Sequence, residues 1–226
     1  WSKYPQFARY LRDAERVIYR GIEFRPGDVL IINLQNPSEG LFTMVLEGRN
    51  YAPHMGMYIE IETEQGRFPA IYEIHQVGVR AVPLHVFLSD AVSSYVEVYR
   101  HRSFQPEWGE LLDASARQIL LENQGFNLFA DEDHSHANHY LTCTSAVEYL
   151  VEKSGIALTL PGPSKLAPTT LAHVEPLGFE TAGFLSPTDI VQWDQMELVG
   201  IIDNGYFSDN ITRQLVNERL SERLAN

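Results

Sequence analysis

The stretch His54–Pro83, HMGMYIEIETEQGRFPAIYEIHQVGVRAVP, decides how this chain is read. Apolar residues alternate with polar ones over Met55–Ile61, Pro69–His75 and Val79–Pro83, and Gly66 and Gly78 punctuate the runs. Period-two patterning between glycine turns predicts three successive antiparallel strands. Outward from there, RPGDVLIINL turns at Pro26–Gly27 into a buried strand over Val29–Leu34, and further strands are expected at Leu41–Leu46 and Tyr95–Arg100. Beyond Pro106 the period changes to that of a helix. EWGELLDASARQILLENQG places Leu111, Leu112, Ala116, Ile119 and Leu120 on one face, and YLTCTSAVEYLVEKSG forms a second helix closed by Gly155. SPTDIVQW reads as a capped helical turn and MELVGII as a last strand. FARYLRDAERVIYR, with Leu11, Ala14, Val17 and Ile18, and ITRQLVNERLSERLAN read as helices at the two ends. The expected architecture is α+β, an antiparallel meander or half-barrel packed against the helix that carries Cys143, in one domain over 1–226 with its core at about 22–202 and helical extensions on either side.

Composition narrows the function. The 226 residues are 44% hydrophobic, enough for a full core, and carry a formal net charge of −13. An acidic chain without a basic patch disfavours nucleic acid as partner. No apolar run is long enough to predict a transmembrane segment. The start, WSKYPQFARY, has no signal-like pattern; the cell envelope or secretion is expected if a leader preceded it, the cytoplasm otherwise. The pattern sets no oligomeric state.

One cysteine excludes an internal disulfide framework and any multi-cysteine zinc site. Cys143 shares a helix face with Ala146, Val147, Leu150 and Val151, so it could be a small core residue. Its place at the start of the helix favours the other reading, because the macrodipole and the unpaired N–H groups there support a thiolate. Such a nucleophile needs a base within hydrogen-bond reach and a third group to orient that base. His54 and Glu73 suit those roles. Alternation puts His54, Gly56 and Tyr58 on one strand face and Ile71, Glu73 and His75 on one face of its neighbour, so a hairpin brings His54 beside Glu73 or His75. Gly56 leaves room where a substrate or a helix comes close. Against this stand a satisfied half-buried histidine and a solvated strand glutamate.

The ordered set RPGDVLII (25–32), HMGMYI (54–59), YE (72–73), GVRAVPLHVFL (78–88), TCTSAVEYLV (142–151) and SPTDI (186–190) resembles the circularly permuted papain-like hydrolases. These are the NlpC-type branch, YiiX-like and related to lecithin retinol acyltransferase, and the order His before Cys marks the permutation. The resemblance implies Cys143 as nucleophile, His54 as general base and then acid, Glu73 as the group orienting it, and an oxyanion hole built partly from the Cys143 N–H. It implies a cysteine amidase or peptidase needing no cofactor and acting on a peptide, a peptidoglycan fragment or a lipid acyl substrate. Thr144 and Ser145 depart from the Ser-Glu or Ser-Ser of relatives, and NLFADEDHSHANH is long and rich in histidine, which leaves the substrate open.

Two alternatives come from other classes. One is a non-catalytic binding module on the same fold. The other is a metal-dependent hydrolase using Asp131, Asp133, His134, His136 and His139. As a calcium loop that cluster fails, with His136 where glycine belongs and Thr142 where a bidentate glutamate belongs. Its histidines fit no H-E-x-x-H helix.

Overall fold

The computed structural model describes residues 16–34, 54–64, 66–75, 78–88, 93–122, 125–126, 140–158, 161 and 187–203. In chain order the elements are β1 (Val17–Tyr19), β2 (Ile22–Phe24), β3 (Val29–Leu34), β4 (His54–Thr63), β5 (Gly66–His75), β6 (Gly78–Pro83), α1 (Leu84–Phe87), β7 (Ser93–His101), α2 (Trp108–Glu122), β8 (Gly125–Phe126), β9 (Tyr140–Leu141), α3 (Cys143–Lys153), α4 (Pro187–Gln192) and β10 (Met196–Asp203). The α+β expectation holds. The strand expected at Leu41–Leu46 and the helix expected at the C-terminal end lie outside the described residues, as do residues 1–15 of the N-terminal one.

A six-stranded antiparallel sheet in the order β10-β7-β3-β4-β5-β6 forms the frame. Strands β4 to β6 follow one another as the patterning predicts, and β3 pairs directly with β4. The meander stops there: β7 returns to the free side of β3, and β10 adds outside β7.

Both faces of the sheet are apolar, so each must be covered. One face sends Met55, Met57, Ile59, Tyr72 and Ile74 against Leu112, Ala116 and Ile119 of α2 and Ala146, Val147 and Leu150 of α3. The other sends Leu30, Ile32, Tyr58, Ile71, Val96 and Val98 against Ile22, Phe24 and the α1 residues Leu84 and Phe87. Side chains of this size gain about 1.5–3 kcal/mol each on full burial, and β5 is accordingly buried without a break from Ala70 to Ile74. In α2, Leu112 is buried and its neighbour Leu111 is exposed. Consecutive helical positions are a hundred degrees apart, so one of the two leucines predicted to share the core face turns outward.

The N-terminal helical reading is corrected at Val17–Tyr19, which form β1 and pair antiparallel with β2. A left-handed pair, Arg20 at φ 49° and Gly21 at φ 83°, reverses the chain between them. The β-branched Val17 and Ile18 suit a strand, and glycine supplies the turn.

A buried ion pair ties β3 to β7. Asp28 is 0% exposed and receives Arg100 Nε and Nη2 at 2.7 Å each, along with the Arg25 backbone N–H at 2.8 Å. Gly27 at φ 95° lets this turn form, and its N–H reaches the Tyr58 carbonyl at 2.8 Å. The Pro-Gly-Asp turn therefore anchors the sheet from which β4 extends.

Candidate active site

Cys143 is the first residue of α3, and the sequence around it fixes that start. Thr142 is the N-cap: its hydroxyl oxygen accepts from the Ser145 N–H at 3.1 Å, and the Ser145 hydroxyl oxygen accepts from the Thr142 N–H at 2.7 Å. This is a capping box with serine in place of the usual glutamate or glutamine. Thr144 and Ser145, which depart from the pattern of relatives, thus belong to the helix start itself. Val147 and Leu150 bury the next turns, leaving Cys143 partly exposed at the sheet. At the other end of α3, Gly155 at φ 69° terminates the helix as predicted.

His54 is the first residue of β4, at the same end of the sheet as the close of β5. Its Nε2 lies 2.6 Å from Glu73 Oε2. Its ring also hydrogen-bonds with the Cys143 side chain, for which Nδ1 is the nitrogen left. Glu73 is 3% exposed, and its other oxygen accepts from Arg80 Nε at 2.8 Å and Nη2 at 2.6 Å. A continuous series therefore runs Cys143, His54, Glu73, Arg80.

The charges in that series support one another. Burial alone would push the His54 imidazolium down; the hydrogen bonds to Cys143 and Glu73, with the negative charges behind them, outweigh burial and raise it from 6.5 to about 10. Burial pushes the Glu73 carboxyl up, but the His54 hydrogen bond and the His54 and Arg80 charges bring it below its ordinary value. His75, the other candidate for orienting His54, is exposed on β5, and burial together with the Arg80 charge pushes it below its ordinary value. Glu73 is the group that holds His54.

Gly56 has a different reason from the one expected. A Cβ there would stand 2.4 Å from Ile71 Cγ2, 3.0 Å from the Tyr72 carbonyl oxygen and 3.4 Å from Glu73 Cβ. The space is taken up by β5, drawn in against β4.

Arg80 was missed in the sequence because a charged strand residue reads as solvated. A signal existed. Only two residues separate His75 from Gly78, and a two-residue hairpin fixes the register that places Glu73 opposite Arg80.

No three His, Cys, Asp or Glu side chains converge into a metal site among the described residues, and the Asp131–His139 cluster lies outside them. Likewise among the described residues, no helix is long and apolar enough to cross a membrane.

The fold is α+β, an antiparallel sheet with α2 and α3 on one face and α1 on the other, and a helix-start cysteine beside a strand histidine. No protein-family model matches the chain, and no curated protein matches it. Its fold is similar to the crystal structure of metalloprotein YiiX from Escherichia coli O157:H7, a DUF1105 protein. The likeness has a TM-score of 0.60 at 14% identity and covers 79% of this chain and 98% of that one.

Proposed function

We propose that this protein is a cysteine hydrolase of the circularly permuted, NlpC-type papain-like kind, acting by acyl transfer through a thioester on Cys143. The observation that carries the reading is the hydrogen-bonded series Cys143–His54–Glu73 with the cysteine at the first position of α3. In this reading the sulfur attacks the substrate carbonyl carbon while its proton resides on His54. The N–H of Cys143, which has no intrahelical acceptor at this position, faces the developing oxyanion. His54 passes the proton to the leaving amine or alkoxide as the thioester forms. It then takes a proton from the attacking water, and collapse of the second tetrahedral intermediate returns the acid and the free sulfur. Glu73 keeps the His54 ring oriented throughout, and no cofactor enters a step.

Amide hydrolysis is the favoured reaction, on a peptide or peptidoglycan fragment; a lipid acyl donor would use the same steps. The test is acylation of the purified chain by a p-nitrophenyl ester and a panel of peptide amides, followed by intact mass. Wild type should carry the acyl group on Cys143 and turn over. Cys143→Ala should abolish both, and His54→Ala should lower turnover by about 10³-fold or more. Turnover that survives Cys143→Ala would sink the reading.

YiiX, the protein of similar fold, is described as a metalloprotein, and this favours one second reading, a metal-dependent hydrolase. The described residues do not offer a ligand set for it, so its test is metal content of the purified protein together with activity in Cys143→Ala.

A further inference from the structure

We propose that Arg80 is a positioning residue of this site: it clamps one oxygen of Glu73 and so keeps the other on His54. The proposal rests on the cysteine-hydrolase reading above, and it concerns a residue that touches neither the nucleophile nor the base.

The geometry is cross-strand. Glu73 and Arg80 are directly opposed in the β5–β6 register, so their side chains meet without a long reach. Nε and Nη2 of Arg80 both point at Oε1, at 2.8 and 2.6 Å, while Oε2 is left to His54 at 2.6 Å. A carboxylate held on one side only can turn about its terminal torsion, which is broad. Held on both sides, it presents a fixed acceptor to the ring. With Arg80 gone, Oε1 would stand buried without these donors, since Glu73 is 3% exposed. The group would then either swing toward water or take up a proton, and both outcomes weaken its hold on His54.

Among the described residues, the titratable and charged groups around His54 are Cys143 from α3, Glu73 and His75 from β5, and Arg80 from β6 across Glu73. On β3 the residue opposite His54 is the apolar Ile32. Arg80 is thus the cation that fixes Glu73, and its side chain is 43% exposed, so its removal leaves a slot open to solvent.

That openness supplies the test. The rate of iodoacetamide alkylation of the sole cysteine, followed from pH 5 to 11, reports the His54 transition as its upper limb. Arg80→Ala should move that limb downward, because Glu73 no longer supports the imidazolium, and should lower p-nitrophenyl acetate turnover about 10- to 100-fold. Methylguanidinium at millimolar concentration should restore part of the turnover, and tetramethylammonium at equal concentration should not. Arg80→Lys, which keeps the charge with a single-point donor, should fall between the two; it carries the test if the alanine variant does not fold. An upper limb that stays in place or moves upward would overturn the proposal, since removing a bystander cation can only favour the imidazolium. An alkylation profile unchanged by His54→Ala would instead sink the Cys143–His54 reading, whatever Arg80 does.

Discussion

Replacing Glu73 by glutamine tests the site most sharply, because the two oxygens of Glu73 have different partners. Oε1 accepts two N–H groups from Arg80, and Oε2 faces His54 Nε2. Glutamine has one oxygen and one NH2, and Arg80, as a permanent cation, can only donate. The amide oxygen must therefore turn to Arg80 and the NH2 to His54. The His54 ring then has to accept at Nε2, so the doubly protonated ring that would balance the ionised sulfur is lost. The magnitude has two parts. Cys143 and, as the lesser contributor, Glu73 hold the imidazolium at about 10 instead of 6.5 against the opposing effect of burial. Losing the Glu73 contribution lowers the imidazolium population; the reversed tautomer adds a loss like that seen when a triad aspartate becomes asparagine, about 10⁴-fold in kcat. A fall of about 10⁴-fold in turnover of a p-nitrophenyl ester at neutral pH is expected, with the upper limb of the pH profile shifted down. Turnover within about threefold of wild type, with the profile in place, would refute the reasoning.

Gly56→Ala should destabilise the protein by about 1–3 kcal/mol in urea unfolding, because its methyl would meet Ile71 Cγ2 at 2.4 Å. Combined with Ile71→Ala it should cost less than the two changes added separately, and simple additivity would show that the close approach is not the cause. Arg100→Leu removes both side-chain donors from a fully buried Asp28 and should cost about 3–5 kcal/mol, read as a lowered urea midpoint. Adding Asp28→Asn in that background should recover part of the loss, since no unpaired charge then stays buried.

The legible part of this fold is the part made by neighbours. The alternation in β4, β5 and β6 reports burial on a pleated surface, and the short turns between them leave little choice of partner. The position of β7 beside β3 is not written locally, because two buried apolar strands match many partners equally well. Val17–Tyr19 misled for a related reason: apolar residues three and four apart fit a helix, while the pairing that makes them a strand depends on a left-handed turn at Arg20 and Gly21. At the site, Cys143 and His54 stood out at a helix start and a strand head, while Glu73 shared its place with His75 until the resemblance chose it, and it is Glu73 that lies 2.6 Å from His54. Gly56 was recognised as a close approach but assigned to the wrong neighbour. Arg80 needed a register, which no composition or period supplies by itself.

The order of these pieces along the chain has a consequence for how the site is made. His54, Glu73 and Arg80 sit on three consecutive strands, whose pairing closes only short loops and costs little chain entropy. Cys143 comes from a helix that follows β7 and α2, and β10, which pairs with β7, comes later still. On a ribosome, where chains emerge from the N-terminal side, His54, Glu73 and Arg80 can assemble before Cys143 has been synthesised. In the proposed reading the half-site waits for its sulfur, and the docking of α3 is the event that would switch the chemistry on.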